Sequence, residues 1–324
     1  MNIVKQKIHQ ITVPTPYAVG DVHVYIIKGD QLSIIDAGVK TDEAWEAFVF
    51  QLKQLGYGPE DIEQVILTHH HPDHIGFIEY LPRLNEVTAH PQVDTWLKRD
   101  PGFLQNYQSF FYSLYQQAGV PERYLSFLKE LRNPLGDVAK GNLTSTILEG
   151  DVLPGHEEWR VIATPGHAQS HLSFYREQDG ALLGGDHLLE HISPNPLLEP
   201  PHNNGKERPK PMLQYRNSLK KLLHYEITHV YPGHGKIFNH VHDLIDRRLE
   251  SQEKRAAKVQ EIIGGDEMTT FEICSRLFPK QFEKQFGLTM SETIGQLDYL
   301  TDINAVGTRV DSGVTFYKNM EATL

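Results

Sequence analysis

The sequence predicts an α/β fold followed by a small, separate module. Three observations carry that expectation. Short apolar runs of strand length alternate with amphipathic helical stretches. Four of the runs end in histidine or aspartate, and after residue 242 the pattern changes to helix, helix, hairpin. The expected division is 1–242 for the larger domain, with a helical insertion at about 100–132, and 243–324 for a helical connector and the small module.

In chain order, Ile8 to Val13, Val22 to Lys28 and Gln31 to Asp36 read as strands, with Gly29-Asp30 as a two-residue hairpin turn. Asp36 closes the third of them, either as a turn-former or as a carboxylate that orients a metal-bound histidine. Thr41 to Leu55 is an amphipathic helix with Ala44, Trp45, Phe48, Leu52 and Leu55 on one face. The strand Gln64 to Leu67 then delivers Thr68-His69-His70-His71-Pro72-Asp73-His74. By the two-residue period His69 and His71 share a side and His70 turns away, while Asp73 and His74 open the next helix. Imidazole nitrogens and a carboxylate oxygen suit a zinc-like cation, and two ligand pairs could serve two metals.

From Gly102 to Leu131 the aromatics Phe103, Tyr107, Phe110, Phe111 and Tyr115 recur at helical spacing, and a second helix carries Tyr124, Leu125, Phe127, Leu128 and Leu131. Core packing is the plainer reading. The sharper one roofs an active site, with Tyr107 and Phe111 facing an apolar substrate moiety. A strand at Trp159 to Ala163 ends in Thr164-Pro165-Gly166-His167, a further ligand. His171 suits support or a strand start rather than ligation. The hairpin Leu172 to Tyr175 and Ala181 to Leu183 leads into Gly184-Gly185-Asp186-His187, where two glycines let the backbone come close enough for Asp186 to bridge two metals. His187 and His191 are candidates for a pocket wall, structural or exposed roles being plainer. After a loop from Ser193 to Met212 and a helix from Tyr215 to Tyr225, the strand Ile227 to Tyr231 ends in Pro232-Gly233-His234-Gly235.

Leu244 to Ile263 reads as a long charged helix. Thr269-x-x-Glu272 and Thr289-x-x-Glu292 are capping-box signatures, and Ala305 to Val310 with Val314 to Tyr317 form a hairpin around Asp311-Ser312-Gly313. That is the plan of a winged helix. Its acidic side chains outnumber its basic ones, which favours packing or a homodimer contact over reading DNA.

Composition sets the outer bounds. The 324 residues are 39% hydrophobic and 23% charged, the mix of an ordinary globular protein. A formal net charge of −11 argues against a polyanion such as nucleic acid as the default partner, a local basic patch aside, and a small-molecule substrate is the expected partner. The one cysteine, Cys274, excludes an internal disulfide and a thiolate cluster, so any metal must be held by nitrogen and oxygen. No apolar segment approaches the roughly 20 residues of a membrane span, and Met1 to Gln10 lacks a signal-peptide core. A cytoplasmic protein is expected.

The series His69-x-His71-x-Asp73-His74, His167, Asp186, His234 resembles the motif of the metallo-β-lactamase superfamily, in order and in strand context, over roughly three quarters of the chain. The resemblance implies a four-layer αββα sandwich with metals at one edge of the sheets. His69, His71 and His167 would hold the first metal; Asp73, His74 and His234 would hold the second; Asp186 would bridge them. Asp36 matches the acidic residue usual after an early strand. With the winged helix, the chain is similar to the branch that includes β-lactamase-like protein 2, whereas His187 after Asp186 departs from glyoxalase II.

The function implied is that of a two-zinc hydrolase, with iron or manganese as alternative metals. Water held by both ions falls to a pKa of roughly 7, so hydroxide can attack an ester, thioester or lactone carbon of a small, partly apolar substrate. Asp73 would fix the second metal and pass a proton to the leaving group. Alternatives are a phosphodiesterase or nuclease on the same metals, an iron oxygen-reducing enzyme, which would need a flavin domain, and a metal- or ligand-sensing regulator that reads DNA through its winged helix.

Overall fold

A computed structural model describes residues 7–125, 138–202 and 207–320. The chain clusters into two compact units, and neither is continuous in sequence. The first takes residues 1–101, 134–194 and 221–241, the second 102–133, 195–220 and 242–324. The stretch expected as an insertion in the first domain therefore belongs with the C-terminal segment, as does most of the loop after residue 194.

In the first unit, β1 (His9–Val13), β2 (Val22–Lys28), β3 (Leu32–Ile35), β4 (Gln64–Ile66), β5 (Glu86–Ala89) and β6 (Ser145–Thr146) form one sheet in that order. Pairing is antiparallel through β3 and parallel from β3 to β6. A second sheet has the order β11 (His229–Pro232), β10 (Ala181–Gly185), β9 (Leu172–Arg176), β8 (His156–Ala163), β7 (Val152–Leu153). Its core is a run of antiparallel pairs, with β11 added parallel to β10. The sheets share one apolar core, in which Tyr25, Ile27, Ile35 and Ile66 meet Trp159, Val161, Leu172, Phe174 and Leu183. Each such side chain contributes about 1.5–3 kcal/mol by leaving water. Burial on both faces explains why β2 and β3 read as unbroken apolar runs instead of alternating.

Helix α1 (Asp42–Gln54) is capped by Thr41, whose hydroxyl accepts from the Ala44 amide, and buries Ala44, Phe48 and Leu52 as the sequence face predicts. Helix α2 (Val93–Leu97) places Trp96 in the interior. The β2–β3 connection differs from the expected two-residue turn, since Lys28 pairs with Leu32 and three residues lie between them. The core also holds a polar trio, with the Ser33 hydroxyl donating to Gln64 Oε1 (2.7 Å) and lying 2.7 Å from His156 Nε2. Burial lowers the His156 pKa to about 4, so the imidazole is neutral and donates its Nε2 proton to Ser33. With its own proton given to Gln64 and His156 acting as donor, Ser33 is a structural hydroxyl and not an activated nucleophile.

The second unit contains α3 (Pro101–Gln117), α4 (Glu122–Leu125), most of α5 (Pro211–Leu222), α6 (Val241–Ile263), β12 (Met268–Thr269), α7 (Thr270–Leu277), α8 (Phe286–Asp302), β13 (Val306–Asp311) and β14 (Val314–Asn319). The expected helix–helix–hairpin is present, completed by β12, which the sequence did not announce and which pairs with β14. Thr269 forms the predicted capping box with Glu272. Thr289 does not form the second one. Helix α8 already starts at Phe286, and the Thr289 hydroxyl donates back to the Gln285 and Phe286 carbonyls. Phe111 and Tyr115 pack with Cys274, Phe282, Phe286 and Met290 in this unit's own core, with Tyr107 against them. The aromatic stripe is thus core packing, and the structure does not give Phe111 the substrate-facing place expected of it. Phe127, Leu128 and Leu131 lie outside the described residues. Among the described residues no helix is long and apolar enough to cross a membrane.

Candidate metal centre

Strand direction decides where the ligands go. β3 and β4 are parallel neighbours, so Asp36 and the histidine run leave the first sheet at one edge. β8 and β10 are both antiparallel to β9, and β11 is parallel to β10, so His167, Asp186 and His234 all follow C-terminal strand ends on one edge of the second sheet. Three ligand sets result, each with donor atoms within 4.8 Å of one another: His69, His71, His167; His69, His74, Asp186; and Asp73, His74, His234. All seven residues named from sequence fall into this cluster. Asp73 and His74 get there by a turn and not by opening a helix. The His74 amide bonds the His71 carbonyl (3.0 Å), folding the chain back beside His69, and a short 3-10 helix starts only at Gly76.

The ring nitrogens turned away from the cluster are tied down. His74 Nδ1 lies 2.8 Å from Asp36 Oδ2, His234 Nδ1 is 2.7 Å from the Asp21 carbonyl, and His69 Nδ1 is 2.9 Å from Thr68 Oγ1. The Thr68 hydroxyl donates to Asp36 Oδ2 (2.8 Å), so it accepts from His69. The Thr68 amide donates to Asp36 Oδ1 (2.7 Å). One carboxylate therefore fixes the tautomers of two cluster histidines, one directly and one through a hydroxyl. Asp36 holds φ +62, a strained conformation for a non-glycine residue that these bonds over-determine.

The nitrogens turned inward have a different character. Nε2 of His74, Nε2 of His234 and Oδ1 of Asp186 are buried and make no hydrogen bond. They face one another instead. Asp186 Oδ1 is 3.5 Å from His74 Nε2, Asp186 Oδ2 is 3.5 Å from both His167 Nε2 and His234 Nε2, and Asp73 Oδ2 is 3.3 Å from His234 Nε2. Donors on a tetrahedron with bonds of about 2.0–2.1 Å stand roughly 3.3 Å apart, so these spacings fit atoms that share a cation. Buried polar atoms left without partners cost about 1–3 kcal/mol each, which a bound ion would recover. The donor set fits a divalent metal.

Electrostatics points the same way. Burial, reinforced by neighbouring imidazoles, holds His69 and His71 well below the usual histidine range, leaving neutral ligands. Burial opposes charge on His74 and His234 too, but Asp186 and its neighbours outweigh it, raising His74 well above the ordinary value and His234 to about 10. Burial works against the Asp186 carboxylate as well, yet His234 and His74 keep it ionised. Without a cation these carboxylates draw protons onto the histidines; a cation takes the protons' place.

The remaining candidates divide. His171 accepts from the Asp186 amide at Nε2 (3.1 Å) and bonds Thr164 Oγ1 through Nδ1 (2.8 Å), so it holds the Asp186 loop rather than joining the cluster. Gly185, at φ +48, must lack a side chain: a Cβ there would lie 2.8 Å from both His171 Nε2 and Thr68 Oγ1. His187 is fully buried with its ring 6.0 Å from that of His171, while His191 is exposed and pairs with Glu190. His70 points away, stacking on Trp96 (ring centroids 4.3 Å apart) and meeting Ser170 Oγ at 2.8 Å. Thr68, Thr164 and Asp21 were missed from sequence; a hydroxyl or a carbonyl in a support role carries no motif.

Residues 17–234 match the family model described as "Metallo-beta-lactamase superfamily". The chain belongs to this superfamily. Within the superfamily, it is 40% identical over 311 residues to a probable metallo-hydrolase, YqjP, of Bacillus subtilis (strain 168), covering 96% of this chain and 97% of that one. Its fold is similar to the crystal structure of the metallo-beta-lactamase family protein TTHA1429 from Thermus thermophilus, with a TM-score of 0.78, 27% identity, and 97% and 98% of the two chains covered. A more remote relative is a thioesterase, pkgB, of Emericella nidulans, 25% identical over 203 residues, 63% of this chain and 43% of that one. The enzyme class that goes with this membership is metallo-hydrolase, and the His/Asp cluster is capable of holding a metal.

Proposed function

We propose that the chain is a two-zinc hydrolase of ester- or thioester-type acyl bonds in a small, partly apolar substrate. One observation carries the reading: Asp186 presents one oxygen to His74 and the other to His167 and His234, so a single carboxylate faces histidines at both ends of the cluster. His69, His71 and His167 would hold one ion, and Asp73, His74 and His234 the other. Bound zinc would polarise the acyl oxygen and make water acidic enough to supply a nucleophile near neutral pH.

The chain's own residues do the rest. Asp73 is nearly buried; burial works against its charge, but His74 and His234 keep its carboxyl below the usual carboxylate range. Its Oδ2 faces His234 at 3.3 Å, while Oδ1 stands 3.9 Å from His74. Oδ1 is therefore the freer oxygen, and it would take a proton from the attacking water and return it to the leaving group. A thioester is favoured among acyl substrates by the relative named a thioesterase. The C-terminal module, winged-helix-like in its element order, is read as a packing or homodimer element, since acidic groups such as Asp298 and Glu292 are engaged with Arg208 and Arg255 inside the same unit.

A panel of thioesters, lactones, aryl esters and bis-p-nitrophenyl phosphate, assayed on zinc-loaded protein, tests the proposal. Acyl substrates should turn over, and Asp73→Ala should lower kcat by roughly 10²–10⁴-fold. Turnover confined to the phosphodiester, or full acyl activity in Asp73→Ala, would overturn it.

A further inference from the structure

We propose that His23 is a positioning residue for His234, acting through the two backbone carbonyls that flank it. Asp21 immediately precedes β2, and His23 and Tyr25 alternate on it, so their side chains share one face. Backbone and side-chain groups of these three residues hold residues 232–235 at four points. The Asp21 carbonyl accepts from His234 Nδ1 (2.7 Å), the His23 amide donates to the Gly233 carbonyl (2.8 Å), His23 Nε2 donates to the Gly235 carbonyl (2.6 Å), and the Tyr25 hydroxyl donates to the Pro232 carbonyl (2.7 Å). His23 alone bonds the carbonyl on each side of the ligand. Its tautomer follows from its partners. A carbonyl can only accept, so Nε2 carries the proton, and Nδ1 receives Thr12 Oγ1 (3.0 Å) and Gln10 Nε2 (3.2 Å) from β1.

The loop has no slack on its other side. The Gly233 amide donates to the Gly185 carbonyl (2.8 Å), and a Cβ on Gly233 would lie 2.2 Å from Asp186 Oδ1. His74 is aimed by a carboxylate side chain, whereas His234 is aimed by the Asp21 backbone carbonyl, just before the strand that His23 registers. Loss of the His23 side-chain donor releases the Gly235 carbonyl, so the residue after the ligand moves and the aim of His234 shifts with it. The consequence falls on the ion assigned to Asp73, His74 and His234, because the four bonds of the clamp end on residues 232–235.

This inference rests on the two-metal reading above but not on the identity of the substrate. The test compares the zinc affinities of both sites in the full-length wild-type, His23→Leu and His23→Gln chains by chelator competition, with zinc content measured after dialysis. His23→Leu should keep the tighter site and weaken the other by roughly 10–100-fold, and His23→Gln, which retains an N–H donor, should recover most of that loss. Two sites of wild-type affinity in His23→Leu, equal weakening of both, or no recovery in His23→Gln would overturn the proposal. Should His23→Leu fail to fold, His23→Phe, which keeps a ring but has no N–H donor, takes its place with the same expected result, and two sites of wild-type affinity in it would overturn the proposal. A wild-type chain that binds fewer than two ions sinks the two-metal reading itself, an outcome distinct from two ions bound equally well by all variants.

Discussion

Asp186→Ala is expected to weaken the binding of both metal ions by at least about a hundredfold, the upper end of what even an outer-shell partner costs. Each oxygen of Asp186 stands 3.5 Å from imidazole nitrogens, and the proposed assignment gives His167 to one ion and His74 and His234 to the other. Removing the carboxylate leaves imidazoles that only partly offset the positive charge of two cations held close together. Asp186→Asn keeps the volume and one oxygen but not the charge, so it should fall between wild type and Asp186→Ala. Zinc titration against a competing chelator measures this directly. Wild-type affinity at both sites in Asp186→Ala would show that the carboxylate does not serve the ions.

Asp36→Asn is expected to damage both sites although Asp36 is not offered as a ligand. Its carboxylate accepts from the Thr68 amide, the Thr68 hydroxyl and His74 Nδ1, and Thr68 in turn accepts from His69. An asparagine presents an NH₂ group where at least one of these donors points, and two donors cannot satisfy each other. The cost is about 1–3 kcal/mol of stability for the unsatisfied buried group. Metal affinity should fall about 10–100-fold at each site, because the proposed assignment gives His69 to one ion and His74 to the other. Thermal melts of the metal-free protein and chelator competition separate the two effects. An unchanged affinity at either site would show that its histidine holds its tautomer without this relay.

The contrast between these two residues marks how far the sequence could be read. Ligation demands particular side chains, and when they follow strand ends they are visible as His69, His71, Asp73, His74, His167, Asp186 and His234. Support demands only a donor or an acceptor. Asp36 was visible because a carboxylate at a strand tip is distinctive, whereas Thr68, the Asp21 carbonyl and His23 look like ordinary strand and turn residues. Periodicity showed that Phe111 and Tyr115 are buried but not against what, since their partners, Phe282 and Phe286, lie more than a hundred residues away. The same limit hid the composition of the second unit. Thr289 was misread because the hydroxyl that can cap a helix can also bond back to the preceding turn inside one.

The most direct test of the account is the metal content of the full chain. Purified without added metal and then titrated with zinc, the wild-type protein should bind two ions per chain, and Asp73→Ala should retain one of them at close to wild-type affinity, because Asp73 belongs to one ligand set only. A wild-type chain that saturates at one ion or binds none would contradict the two-metal centre on which the proposed function stands.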